Sequence, residues 1–484
     1  LVLRLLVLAQ LAIAPDSMPT ARFELPNGLR VWVREDHARP VALVQITYKV
    51  GSLHESAGHT GIAHYVEHMV YRATKNIPNE DVYGYIDRIG GRYTGGTWPE
   101  MTQYSETVPS WAIESALRVT AERMCCALFD SLEFERERSN VVTEANGFAD
   151  VDAITVFRDA MMATSFELHP YRYGSNTWAR DNLVLTRAAA YDWYKRYYGP
   201  NNAVLVVAGD IDIGEVRALV EKHFASIPRA PETGAITLRE PPSLVEKRIM
   251  MWYAGAQRHV AVYYRSPAAA DAAFAALVVL SRHLRDRLPV LVREAVSNAT
   301  VTVADSAAEY PYVLRINASG DTTADLDRVL GVIDREIDRI AANGLTGAEL
   351  AAARRANGPT PAGERTASQG GGVPPRRSSL TQLADSLTNV EVFSWEVGPA
   401  LRNRIREAAG RVTSDEVRAF ATEWLRRAGR TVGFLSTDPD ATFHEQRVDV
   451  PPLRTPPAKR RRPEPVPQRG LQALAPIDVP RARR

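Results

Sequence analysis

Cysteine is nearly absent from this chain: two among 484 residues, Cys125 and Cys126, side by side. Neighbouring cysteines rarely reach disulfide geometry, so no disulfide framework is expected, and the pair reads as buried, inert thiols in the helical run ALRVTAERMCCALFD. Two cysteines also cannot build a thiolate-rich zinc site, so any metal here must use histidine and carboxylate. Long apolar runs are missing beyond the opening LVLRLLVLAQLAIAP, which is too short to span a bilayer comfortably. That stretch reads as a trimmed export signal with the small-residue site Ala12-Ile13-Ala14, hence a periplasmic or secreted protein with no later membrane span. Charge of one sign is scarce as well. The net charge is +2, but residues 451–484 hold nine Lys/Arg against two acids, so a tail at +7 leaves the body at −5. No basic or aromatic stripe accompanies the tail in the folded part, which argues against nucleic acid as a partner and for a solvated extension. A P-loop, a dinucleotide fingerprint and a nucleophile elbow are all missing.

What is present is an ordinary globular composition, 45% apolar and 24% charged, over a length that calls for more than one core. An alternating pair of runs around Asn27-Gly28 predicts a hairpin, and VALVQITYKV a buried strand. Helical spacing follows over 57–74, 80–90, 110–127, 133–150 and 213–225, with TQYSETVP and NNAVLVVAGDI as strands between. A Pro-rich stretch then breaks the pattern, and the plan resumes: strand HVAVYYRS, helix 269–286, strand YPYVLRINAS, helices 323–343 and 413–427, strand RTVGFLST. Two related α+β domains are therefore expected. The boundaries read as an export signal over 1–19, a first domain over 20–231, a linker over 232–246 and a second domain over 247–447. An irregular insert lies at 357–378, and a Pro/Arg-rich tail runs over 448–484.

Chemistry concentrates in GIAHYVEHMVYRAT. On a helix His64 and His68 are one turn apart on one face, so both rings can meet one ion. Glu67 lies beside that face, placed to take a proton from metal-activated water rather than to ligate. Such a sequence is the zincin motif inverted. A catalytic zinc needs a third protein ligand with one position left open. EFERERSNVVTEANGF offers Glu137 and Glu144, two turns apart on one helical face with Val141. By itself that run would read as a solvated acidic helix, which Glu144 partly escapes by following Val141-Val142.

GHTGIAHYVEHMVYRATKNIP, with the glutamate of ERERSNVVTE 76 residues after His68, resembles the pitrilysin/insulinase family of zinc peptidases. The resemblance continues through GGRYTGGTWPEMTQYSETVP, HPYRYGSNTWARDNL and YYGPNNAVLVVAGDID, and covers roughly residues 22–440. It implies mainly antiparallel sheets with helices on one face, two such domains forming half of a clam-shell chamber. It implies one Zn2+ per chain on His64, His68 and Glu144, Glu67 as general base, and Glu137 orienting a ligand histidine. The peptide substrate would lie extended along the edge strand RYTGGT, where the family's Asn-Ala pair reads Thr94-Gly95, with Gly95 and Gly96 allowing close backbone approach. Family members also hold substrate with an Arg and a Tyr seven residues apart. Arg293 stands at the first position and Thr300 at the second. Drift or a different alignment explains this blandly. The functional reading is a heterodimer with a zinc-less homologous subunit that carries the Arg/Tyr pair, a homodimer being the other arrangement.

The expected activity is a zinc metalloendopeptidase acting on oligopeptides or unfolded segments, the alternative a non-catalytic core or assembly subunit of the same fold. A zinc hydrolase of a non-peptide substrate is a further rival. His54 and His59 flank the motif and either touch substrate or are merely solvated. His169 reads as structural, and Trp98 and Tyr104 as core or cleft wall.

Overall fold

The computed structural model describes residues 19–77, 81–151, 153–174, 179–253, 257–355 and 398–437. The opening apolar run, the insert at 357–378 and the tail from 448 lie outside the described residues. Two sheets organise the rest. The first has six strands: β1 (Thr20–Glu24), β2 (Arg30–Glu35), β3 (Val41–Tyr48), β4 (Arg92–Thr97), β5 (Thr102–Pro109) and β6 (Ala203–Gly209), in the order β1-β2-β6-β3-β5-β4. All neighbours are antiparallel except β2 and β6. The second has five: β7 (Lys247–Trp252), β8 (Arg258–Ser266), β9 (Ala299–Ala304), β10 (Tyr312–Gly320) and β11 (Arg430–Ser436), in the order β7-β11-β8-β10-β9. Its only parallel pair is β7 with β11. The orders match strand for strand once β1 is set aside, and both sheets end on an edge strand, β4 or β9. The fold is therefore α+β with two like sheets.

Helices α1 (Ile62–Met69), α2 (Val82–Arg88), α3 (Ile113–Cys125), α4 (Ser131–Val151), α5 (Ala153–Ser165), α6 (Ala179–Asn182), α7 (Arg187–Tyr197) and α8 (Ile213–Phe224) belong to the first half of the chain. The second half adds α9 (Phe274–Ala295), α10 (Leu326–Asn343) and α11 (Gly347–Arg355), then Gly398–Arg411 and Ser414–Trp424. One core sits between the first sheet and its helices, and holds Val44, Ile46, Tyr65, Val66, Leu117, Val141 and Val220. A second joins α9, α10 and Ser414–Trp424 to β8, β10 and β11. A third core forms the seam. Phe157 and Met161 of α5 pack on the other face of the second sheet against Met251, Ala261 and Leu435. Gly433 makes that approach possible, since a Cβ there would meet Met161 Sδ at 2.3 Å and Phe157 at 2.9 Å.

Several expected elements move. Helix 57–74 shrinks to α1, because Gly58 and Gly61 take positive φ (83° and 86°) and end the helix at its N-terminal side. The hairpin loop is longer than Asn27-Gly28: strands pair from Glu24 and Arg30 outward, and the Asn27 amide is buried, donating to the Phe224 and Ile227 carbonyls. The helix expected at 269–286 starts at Phe274 and continues to Ala295, across Pro289. Residues 228–246 carry neither helix nor strand. Glu240 pins them by accepting the amides of Glu167, Leu168 and His169 at 2.6–2.9 Å.

The cysteine expectation is corrected. Cys125 and Cys126 are joined as a disulfide, and Cys125 is exposed. The buried face of α3 is Ala116, Leu117, Thr120 and Met124, so the next residue points about 100° away from it, toward water. The chain then turns out of the helix at Cys126, which leaves the sulfurs side by side at the surface.

Candidate active site

Helix α1 is short, and its position is fixed from outside itself. Ile62, Tyr65, Val66 and Met69 are at most 2% exposed, each burial worth roughly 1.5–3 kcal/mol. Gly61 supplies no side-chain cap, so the N-terminal amides are satisfied from upstream: Glu55 accepts Gly61 N–H at 2.8 Å and Ala63 N–H at 3.0 Å. Asp181, on α6, accepts the Thr60 amide and hydroxyl. Tyr65 donates to the Phe134 carbonyl and its ring lies 4.6 Å from that of Phe134, which ties α1 to α4.

His64 and His68 extend from α1 toward α4. Their Nε2 atoms are 3.2 Å apart, and Glu144 Oε2 lies 3.3 Å from His68 Nε2 and 3.8 Å from His64 Nε2. Among the described residues these three form one of the groups able to share an ion. Zinc–nitrogen bonds of about 2.0–2.1 Å at a tetrahedral angle place two donors about 3.3 Å apart, so the spacing fits a single zinc. The electrostatics fit as well. Burial lowers the His64 pKa and the neighbouring His68 charge lowers it further. Burial opposes a charge on His68 too, but hydrogen bonds to Glu137 and Glu144 outweigh it and raise that pKa. The hydrogen bond from His68 holds the Glu144 carboxyl below the usual carboxylate range. His64 is thus held neutral, while His68 and the ionised Glu144 pair across the place a cation would take.

Behind His68, Glu137 is 1% exposed and its Oε2 accepts from Nδ1–H at 3.0 Å. Its Oε1 is ion-paired with Arg72 and accepts from Asn140 at 3.0 Å. Burial alone would raise the Glu137 pKa, but the His68 hydrogen bond and the Arg72 charge carry it below normal. With Nδ1–H committed to Glu137, Nε2 is the nitrogen turned toward His64 and Glu144, and loss of its proton would open a lone pair for a ligand role.

Glu67 is buried on the same helix but is not one of the three converging groups. Its Oε2 accepts from the Thr97 hydroxyl at 2.7 Å. Burial pushes its carboxyl up to about 7, against the pull of the His68 charge and the Thr97 hydroxyl. Thr97 ends β4, which among the described residues pairs with β5 alone, leaving its other edge unpaired there. Thr94 is exposed on that edge. Gly95 has no room for a side chain: a Cβ would lie 2.6 Å from the Tyr71 hydroxyl and 3.1 Å from Glu67 Oε1. A Cβ at Gly96 would meet the Trp98 ring at 2.7 Å.

Arg293 is not part of this cluster; it is exposed in the last turn of α9, which packs on the second sheet. Thr300 lies on β9 and hydrogen-bonds Ser319 at 3.0 Å. His54 is turned into the protein, where its Nδ1 accepts the Gly51 amide and its ring packs on Tyr197. His59 is exposed. His169 is buried among Phe166, Tyr171 and Tyr310, and Tyr104 is core, hydrogen-bonded to Tyr198. Sequence reading missed the residues that hold others in place: Glu55, Arg72, Thr97 and Asp181. Arg72 carried a signal, one turn after His68 on the same face; the others carried none.

Two like sheets, the first bearing an inverted His-x-x-Glu-His helix crossed by an acidic helix, define the class. The chain belongs to the insulinase family, peptidase family M16. Residues 30–174 match that family, Insulinase (Peptidase family M16), and residues 185–357 match the Peptidase M16 inactive domain. An uncharacterised zinc protease of Mycobacterium bovis is 30% identical over 352 residues, 69% of this chain and 77% of that protein. Zinc protease PqqE of Helicobacter pylori is 30% identical over 264 residues, 54% of this chain and 60% of that one. Probable zinc protease PqqL of Escherichia coli is 27% identical over 355 residues, 68% of this chain and 37% of that one. The chain therefore spans less than two thirds of the last two relatives. In fold it resembles the crystal structure of the first half of the periplasmic protease PqqL, with a TM-score of 0.69 at 18% identity, covering 87% of this chain and 92% of that one.

Proposed function

We propose that the chain is a zinc metallopeptidase that hydrolyses peptide bonds in oligopeptides or unfolded segments. The observation that carries this reading is the convergence of His64 Nε2, His68 Nε2 and Glu144 Oε2, with the Glu67 carboxylate held beside them yet outside the set. A zinc ion on these three groups would act as a Lewis acid, lowering the pKa of water at its open position and polarising the peptide carbonyl. Glu67 takes the proton of the attacking water and returns it to the leaving amine. Glu137 fixes the His68 tautomer, and the free edge of β4 receives an extended substrate by main-chain pairing, with Thr94, Gly95 and Gly96 beneath it. The bacterial relatives are themselves named zinc proteases.

A partner subunit is part of this reading. With threonine at 300 and Arg293 away from the trio, this chain lacks the tyrosine of the Arg/Tyr pair, and a zinc-less homologous subunit would supply both residues. Without a donor for the developing oxyanion, the isolated chain would be slower by about 10²–10³. The place of action would be the periplasm, as for PqqL.

The test is Glu67→Gln beside wild type, with zinc content and hydrolysis of a quenched fluorescent peptide library measured on each, alone and with a homologous zinc-less subunit. One zinc per chain in both, with turnover lost only in the variant, is expected. A wild-type chain without stoichiometric zinc would leave the non-catalytic assembly reading in place. Zinc without peptide hydrolysis in either setting would favour a non-peptide substrate.

A further inference from the structure

Thr97 stands where the edge strand meets the candidate base. It is 7% exposed, and its hydroxyl is 2.7 Å from Glu67 Oε2. A threonine hydroxyl has one proton to give. Thr102, opposite Thr97 in the ladder, donates its own proton to the Val50 carbonyl at 2.9 Å. Toward Thr97, 3.4 Å away, it can offer only a lone pair. The Thr97 proton therefore has two acceptors in reach, and the Glu67 carboxylate at 2.7 Å takes it in preference to the Thr102 oxygen at 3.4 Å.

We propose that Thr97 is a positioning residue that gives the two Glu67 oxygens different work: Oε2 is fixed as an acceptor, and Oε1 takes up and returns the proton. Gly95, two residues earlier on the same face of β4, completes the arrangement, because a Cβ there would lie 2.6 Å from the Tyr71 hydroxyl and 3.1 Å from Oε1 and would crowd both. The base is thereby registered to the strand that receives substrate, and not to helix α1 alone. The proposal rests on the peptidase reading for its chemistry, while the placement of the carboxylate can be measured without it.

Two variants separate positioning from packing. Thr97→Val keeps the shape and removes the donor; Thr97→Ser keeps the donor and removes a methyl. With the peptide library as probe, Thr97→Val is expected to lose about 10–100-fold in kcat, with KM and zinc content unchanged. Thr97→Ser should stay within about threefold of wild type. A serine variant that loses as much as the valine variant, or a valine variant with full kcat, would overturn the proposal. A crystal structure of metal-free Thr97→Val provides the second readout. The Glu67 carboxylate should leave its place beside Gly95, and should keep it in Thr97→Ser. A carboxylate unmoved in Thr97→Val rejects the positioning role whatever the activities are. If wild type hydrolyses no peptide, the peptidase reading fails, and these structures still decide the claim about Thr97.

Discussion

Replacing Glu137 by glutamine should weaken zinc binding about 10–100-fold while leaving the metal-free fold nearly intact. The carboxylate accepts on both oxygens: from His68 Nδ1–H on one, from Arg72 and Asn140 on the other. A glutamine amide cannot do both. With its oxygen toward His68, its NH2 faces the Arg72 and Asn140 donors; turned round, the NH2 faces Nδ1–H. Either way His68 loses the grip that holds its Nε2 toward His64 and Glu144, or Arg72 swings away. Loss of such an outer partner typically costs 10–100-fold in metal affinity, about 1.4–2.7 kcal/mol. The effect on folding is smaller, since Arg72 keeps Asp81 at 3.2 Å as a second partner and the side-chain volume is unchanged. A competition titration against a chromophoric chelator at fixed pH reads the zinc dissociation constant, and metal-free Tm reads the fold. An unchanged dissociation constant refutes the reasoning. A metal-free Tm that collapses in parallel would move the role of Glu137 from the metal to the packing of α4.

Gly95→Ala should lower peptide hydrolysis about tenfold or more with zinc retained, because the new methyl displaces the Tyr71 hydroxyl or Glu67 Oε1; wild-type turnover would contradict the tight fit. Glu100 gives a pH effect of unusual sign. Burial raises its carboxyl to about 7, although the Tyr171 hydroxyl and the Glu309 amide pull the other way. A carboxyl with a raised folded-state pKa binds its proton more tightly when folded, so its contribution is full below about pH 4.5 and falls by roughly 3 kcal/mol as pH rises to 7. Glu100→Gln should flatten that part of the profile and be the more stable form at pH 8. Urea denaturation at pH 5 and pH 8 checks this, and an equal pH difference in both proteins counts against it.

How much of this could be read from sequence depended on whether the cause was local. His64 and His68 share a face because helical periodicity puts them there, and no tertiary contact was needed to see it. Glu144 needed more: its position after Val141-Val142 made it a candidate, but its approach to α1 depends on how two helices cross, which spacing does not encode, and the family resemblance supplied its role. The hairpin loop was misjudged because the Asn27 amide answers carbonyls at and just past the end of α8, about two hundred residues away. Helix α5 shows a similar limit. Its apolar face seats on the sheet of the other half, at a notch made by Gly433, and no local pattern announces which sheet an amphipathic helix will cover. Buried acids were missed for the opposite reason. Glu55, Glu100 and Glu106 look like surface residues in sequence, and become structural only where amides, Tyr171 or Arg123 meet them.

The crossing of α1 and α4 sets the spacing of the three candidate ligands. Glu137 and Glu144 are separated by about 10 Å along their helix. They nevertheless reach opposite nitrogens of one imidazole, Nδ1 and Nε2, whose separation is only about 2 Å. Both side chains must lean inward, so the His68 ring can be gripped only while α4 keeps its angle and rotation over α1. Tyr65 and Phe134 fix that angle by ring contact and the bond to the Phe134 carbonyl. Arg138 spreads over both rings and ties them to the Asn182 and Leu185 carbonyls. Rotation is resisted by Phe134 and Val141, at most 1% exposed, which would each lose roughly 1.5–3 kcal/mol on turning into water. The apolar stripe of α4 therefore does chemical work. It holds α4 in the rotation that brings two carboxylates to one ring, and with it a donor spacing that would fit a single zinc.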